Sequence, residues 1–173
     1  NKGFEVSEAK WRFDMPVDRI NVVVHPESII QSMVEFEDGA VIAQMAEPDM
    51  REPIQFALCF PERLPLSTRK LDFAKVGSLS FSEPDPQRFP ALGLAFKAME
   101  RGGNIPCALN AANEAAVAAY INGRISFYGI SDVVGECMER TSYISDPSLE
   151  DIFATNDEAY SLSCRLIDEM ERR

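Results

Sequence analysis

Ile29 to Glu37 (IIQSMVEFE), Asp38-Gly39, and Ala40 to Met45 (AVIAQM) form the stretch on which the fold turns. An Asp-Gly pair between two runs of β-favouring residues is the strongest short-range signal for a tight hairpin, because glycine accepts the left-handed backbone that such a turn demands. Met33, Val34, Phe36, Val41, Ile42 and Met45 fill the two strands. Upstream, Ile20 to Val24 (INVVV) is a β-branched run of strand length that His25-Pro26 ends. Its unbroken apolar character predicts a strand buried on both faces. Downstream, Pro48-Asp49 opens a helix over Arg51 to Phe60 carrying Ile54, Phe56, Ala57 and Leu58. The first residues, Phe4 to Phe13, show helical spacing up to the stop at Pro16. Strand, hairpin and helix in this order imply a sheet with helices packed on it.

Residues 61–87 change character: Pro61, Pro65, Pro84 and Pro86 alternate with serines and one strand-like piece, Leu79 to Phe81. They read as an ordered linker over the surface. Beyond it the periodicity is helical. Pro90 to Arg101 is closed by Gly102-Gly103, and Pro106 opens an alanine-rich helix, Cys107 to Ile121, closed by Asn122-Gly123. Ile130 to Met138 is a third helix, and a fourth begins at Asp146-Pro147-Ser148. The expectation is an α+β chain. A mixed sheet with packed helices over residues 1–60 is followed by a linker at 61–87 and a small four-helix bundle at 88–173.

The chain has 173 residues, 46% hydrophobic and 26% charged, with a net charge of −11. No basic face offers itself to nucleic acid. The four cysteines are far apart and form no Cys-x-x-Cys pair, and there is one histidine, so the sequence argues against a Cys/His zinc centre. Isolated cysteines suggest thiols in a reducing compartment, and no run of 18 apolar residues occurs, so the expectation is a cytoplasmic protein without a membrane anchor.

Four places carry residues capable of chemistry. Asn1 and Lys2 sit at a helix start with Glu5 in the first turn. A lysine and an amide beside free backbone N–H groups suit a phosphate, though the same residues also make a plain turn and cap. Glu5 is either an oxygen ligand for a hard divalent ion or a surface glutamate. Glu47-Pro48-Asp49-Met50-Arg51 lies at a strand-to-helix junction, where α/β sheets place ligands; alternatively Asp49 only caps the helix. Leu109-Asn110-Ala111-Ala112-Asn113-Glu114 places polar residues in an alanine-rich helix, as at a close helix crossing with its polar groups satisfied. His25 and Trp11 read as structural residues, Trp11 in the core.

Taken in order, these segments resemble one family. Asn1-Lys2-Gly3-Phe4-Glu5 matches an N-K-G-x-E segment, His25-Pro26-Glu27-Ser28 an H-P-x-S segment, and Glu47-Pro48-Asp49-Met50-Arg51-Glu52-Pro53-Ile54, Leu71-Asp72-Phe73 and Leu109-Asn110-Ala111-Ala112-Asn113-Glu114 follow at similar spacing. The pattern resembles the C-terminal part of the 1-deoxy-D-xylulose 5-phosphate reductoisomerases. That resemblance implies an oxidoreductase that rearranges a sugar phosphate and reduces it with NADPH, assisted by Mg²⁺ or Mn²⁺, in non-mevalonate isoprenoid biosynthesis. It implies that Glu5 is one of three acidic metal ligands. Asn1 and Lys2 would hold the substrate phosphate or nearby hydroxyls, and Met50 would border the substrate and the nicotinamide. It also implies a homodimer.

Two features of the family are not in this sequence: a glycine-rich dinucleotide fingerprint, and the Asp-x-Glu pair with its tryptophan-bearing flap. They are expected upstream of Asn1, so the chain alone is expected to be inactive. A non-catalytic dimerisation or binding module, or a paralogous oxidoreductase on the same scaffold, are the rival readings.

Overall fold

A computed structural model describes residues 1–172. They fall into two compact units: residues 1–22 together with 85–172, and residues 23–84.

The first unit is helical. It contains α1 (Lys2–Phe13), a 3₁₀ turn at Val17–Arg19, and then α4 (Pro90–Arg101), α5 (Ile105–Ile121), α6 (Phe127–Arg140) and α7 (Leu149–Glu171). Helix starts follow local chemistry. Proline stands in the first turn of α4 and α5, where its missing N–H costs nothing. Ser126 accepts the Gly129 amide at 3.1 Å, so α6 begins earlier than apolar periodicity alone suggests. Ser148 and Asp151 close a reciprocal capping box on α7.

Helix α5 is the axis of this unit and touches α4, α6 and α7. Its alanines make this possible: Ala108, Ala111, Ala112 and Ala116 are fully buried and let three helices approach. Asn104 fixes the chain into α5. Its Nδ2 donates to Ser142 O (2.9 Å) and Thr155 Oγ1 (3.0 Å), and its Oδ1 accepts from Ile144 N (2.9 Å).

The expected divisions at residues 60 and 88 do not coincide with these units. Helix α1 belongs to the helical unit, where it lies on α4 and buries Val6 in the common core with Ala95, Met99 and Leu109. Trp11, expected in the core, is 71% exposed with Lys10 Nζ 5.3 Å from its ring. The face of α1 that carries Val6 is the buried one, and Trp11 lies about 140° round the helix from it.

In the second unit β1 (Ile30–Glu35) pairs antiparallel with β2 (Val41–Met45), with Val34 opposite Ile42 and Glu35 opposite Val41. Gly39 has φ 83°, and Asp38 Oδ1 accepts the Ala40 amide at 2.9 Å. Two short helices follow, α2 (Arg51–Cys59) and α3 (Phe73–Val76). The second of these lies inside the stretch read as a linker and starts where Asp72 accepts the Ala74 amide. Ile29 and Ala46 are the buried apolar residues of this unit, whereas Val34, Ile42 and the other strand residues stand largely open.

The strand expected over Ile20–Val24 does not form. Ile20 and Val22 pack on the helical core, and Val24 makes a single antiparallel bridge to Ser82. A β-branched run favours extended backbone but becomes a strand only with a ladder partner, and Ser82 is all that pairs with it. Leu79–Phe81, expected as a strand, forms none; the bridge falls one residue on, at Ser82. The α+β class holds, with two antiparallel strands and seven α-helices among the described residues. None of these helices is long and apolar enough to cross a membrane.

Candidate functional site

The first turn of α1 brings three of the expected site residues together. Asn1 stands at the N-cap, and its side chain makes no capping bond. Its carbonyl accepts the Glu5 amide at 3.0 Å. Lys2 Nζ lies 2.6 Å from Glu5 Oε2, with both side chains more than half exposed. An exposed ion pair of this kind contributes about 0–1 kcal/mol. Another cation competing for the carboxylate, or an anion competing for the ammonium, therefore separates it at small cost. The ammonium and the carboxylate stand together in the first turn of α1, at the positive end of the helix that Asn1 begins.

Glu5 has the donor chemistry of a hard divalent ion, namely an accessible carboxylate oxygen. It is one ligand. Among the described residues no group of three or more His, Cys, Asp or Glu side chains gathers to hold a metal. The site fits such an ion as a contributor and needs further ligands. A dinucleotide cradle would need a parallel sheet with a crossover helix, and the sheet described here is an antiparallel hairpin.

Met50 is in the other unit. It is the N-cap residue of α2 and is 70% exposed. Its setting comes from its neighbours. Asp49 Oδ1 accepts the Arg51 amide at 3.0 Å, and Arg51 Nε donates to both Asp49 oxygens at 3.0 and 3.1 Å. The Arg51 guanidinium, with help from its amide, holds the Asp49 carboxyl down to about 2. Asp49 thus does cap the junction, and the cap presents Met50 outward. On another face of α2 a cleft of about 340 Å³ is lined by Glu47, Glu52, Phe56, Arg63 and Arg69, without Met50. Arg63 stacks over the Phe56 ring at 4.0 Å.

His25 is 6% exposed and lies stacked on Phe81 at 4.7 Å. It has partners at both ring nitrogens, as a structural histidine should: Ser80 O at 2.9 Å from Nδ1, and the Ile29 amide at 3.2 Å from Nε2. The Leu109–Glu114 segment departs from expectation. Leu109, Ala111 and Ala112 are the buried members, while Asn110 and Glu114 lie on the open stripe of α5, 3.5 Å apart. Alanine makes the helix crossing, so the polar groups are left free of it. Sequence reasoning missed Asn104 altogether, although an Asn between a glycine pair and a helix start was its visible signal.

The family description "DXP reductoisomerase C-terminal domain" matches residues 45–162. The 1-deoxy-D-xylulose 5-phosphate reductoisomerase of Bacteroides thetaiotaomicron is 52% identical over 96% of this chain and 43% of its own length. That of Chlorobium phaeobacteroides is 50% identical over 97% and 44%. Among solved structures, the reductoisomerase from Zymomonas mobilis in complex with NADPH superposes with a TM-score of 0.90 at 41% identity, covering 97% of this chain and 44% of that one. A DOX-P reductoisomerase with fosmidomycin and magnesium has a TM-score of 0.90 at 35% identity, covering 99% and 45%. The chain spans less than half the length of the relatives it matches. On sequence and on structure alike, it belongs to the 1-deoxy-D-xylulose 5-phosphate reductoisomerase family.

Proposed function

We propose that this chain contributes the C-terminal part of an enzyme that converts 1-deoxy-D-xylulose 5-phosphate to 2-C-methyl-D-erythritol 4-phosphate, an isomerising, NADPH-dependent oxidoreductase of isoprenoid biosynthesis. The observation that carries this reading is the exposed Lys2–Glu5 pair in the first turn of α1, in a segment matching the family's N-K-G-x-E.

In this reading Glu5 gives one carboxylate to Mg²⁺ or Mn²⁺, with other acidic ligands from outside the chain. Lys2 and Asn1 then turn to the substrate phosphate and hydroxyls, where the helix N-terminus adds its dipole. The divalent ion supplies Lewis-acid polarisation of a substrate carbonyl, and NADPH supplies the hydride. Met50, held out by the Asp49–Arg51 cap, gives an apolar wall to the substrate and nicotinamide. In this division of roles residues 1–60 complete the catalytic part, with α1 anchored on the helices, 61–87 lead away from it, and residues 88–172 form its helical support. The working enzyme is a cytoplasmic homodimer.

The test compares the purified 173-residue chain with the longer protein that carries it. The longer protein should oxidise NADPH only when the sugar phosphate and a divalent ion are both present, and the chain alone should neither bind NADPH nor turn over. Sugar-phosphate-dependent NADPH oxidation by the chain alone would overturn the division of labour. None from the longer protein would overturn the function.

A further inference from the structure

His25 connects two segments that are far apart in sequence, and it does so in one defined protonation state. The Ile29 amide can only donate, so Nε2, 3.2 Å away, must carry a lone pair. The ring proton is therefore on Nδ1, which faces Ser80 O at 2.9 Å and Glu27 Oε2 at 3.0 Å. Phe81 stacks on the ring, and the Val24–Ser82 bridge closes the same strap over it with amide bonds of 2.8 and 3.0 Å.

The connection continues through Ile29. Its amide goes to His25, and its carbonyl accepts the Ala46 amide at 3.0 Å, the rung next to the Ile30–Met45 pair of the hairpin. Ile29 and Ala46 are the two buried apolar residues of this unit. Ala46 leads directly into Glu47-Pro48-Asp49-Met50, where the Asp49–Arg51 cap sets the direction of Met50. A single polar path thus runs from Ser80 through the His25 ring and the Ile29 peptide to the start of the Met50 segment. β1 is irregular between Ile30 and Ser32, so the ladder holds this end of the hairpin less firmly than regular pairing would, and the His25 bond takes up that role.

We infer that His25 is a positioning residue for the Glu47–Arg51 segment, acting through the Ile29 peptide and only in its neutral form with the proton on Nδ1. This rests on the reading of Met50 as a wall of the substrate and nicotinamide site. Protonation places a hydrogen on Nε2, which then cannot accept from Ile29. Glu27 is the charged group set against the ring. Ser80 and Phe81, from the strap, bring no charge.

Two substitutions in the full-length enzyme separate the links. In His25→Asn the side-chain amide keeps a donor near the Nδ1 position but loses the acceptor for Ile29. In His25→Gln the longer side chain keeps an acceptor near the Nε2 position. Losing one net hydrogen bond to a positioning peptide should raise the KM for NADPH about five- to tenfold in His25→Asn with kcat little changed. His25→Gln should recover most of that loss. Hydrogen exchange at residues 46–51 should quicken in His25→Asn and stay near normal in His25→Gln. A variant-free arm covers the case in which both variants unfold: in the unmodified protein, lowering the pH through the titration of the His25 Cε1–H resonance should quicken exchange at Ile29 and at 46–51 together. Equal KM values in the two variants, or His25 protonation that leaves 46–51 unchanged, would overturn the inference. The exchange readouts do not depend on turnover. If the unmodified enzyme shows no sugar-phosphate-dependent NADPH oxidation, the functional reading fails and the exchange arms still decide the linkage.

Discussion

Gly3 and Ala95 set the distance between α1 and α4: a Cβ on residue 3 would stand 2.5 Å from the Ala95 Cβ. Glycine at that position is a packing requirement, and it lies between Lys2 and Glu5 in the same turn. The glycine of the N-K-G-x-E segment therefore seats the helix that presents its charged residues. Gly3→Ala must push α1 away from α4. It should destabilise the helical unit by about 1–3 kcal/mol, as overpacking does elsewhere, and should raise the Mg²⁺ requirement of the full enzyme. Thermal melts of Gly3→Ala and of Ala95→Gly/Gly3→Ala check this, since the second change reopens the space and should recover stability.

Asn104 is 1% exposed and satisfied on both sides of its amide. Asn104→Ala leaves the Ile144 amide, the Ser142 carbonyl and Thr155 without that partner, so the expected loss is about 2–4 kcal/mol. Chemical denaturation should show a lower midpoint at an unchanged slope.

Ser163 is the opposite case. It is fully buried on α7, and its hydroxyl has no partner among the described residues. Ser163→Ala removes an uncompensated polar group at nearly constant volume, so stability should hold or rise by about 1–2 kcal/mol. A clear fall in melting temperature would show that the hydroxyl has a partner in solution.

These helical features were legible to different degrees in the sequence. Pro90, Pro106 and Ser148 announced their helices because caps are local chemistry. The Asp38-Gly39 turn gave the hairpin for the same reason. Ile20–Val24 misled because extended propensity says nothing about whether a second strand is available. Trp11 misled because α1 has one buried face and the tryptophan is off it. The Lys2–Glu5 pairing follows from its i, i+3 spacing, and its reading as a site rests on the family pattern, whereas the bond from His25 to Ser80 joins residues 55 positions apart and leaves no local trace.

Asp49 supplies a pH signature. Its carboxyl lies near 2 in the folded protein against an ordinary value of 3.8, chiefly through the Arg51 side chain. Because the folded value is the lower one, the cap's contribution is complete above 3.8 and fades as the pH falls towards 2. The difference in stability between the unmodified protein and Asp49→Asn should therefore be constant at neutral pH and shrink across that acid window. Direct titration of the Asp49 carboxyl carbon by NMR should place its midpoint well below that of an ordinary aspartate.

Glu5→Gln in the full-length enzyme is the most direct test of the proposed function. Glutamine keeps the shape and one oxygen acceptor but removes a unit of negative charge from the metal's ligands. Activity should be measured against Mg²⁺ concentration, with NADPH binding followed separately by fluorescence. The account predicts a loss in kcat/KM on the order of 10³, a higher Mg²⁺ requirement and unchanged NADPH affinity, with Lys2→Met mainly raising the KM for the sugar phosphate. Near-normal kcat/KM at the normal Mg²⁺ requirement in Glu5→Gln would contradict it, and Glu5 would then be a surface residue paired with Lys2.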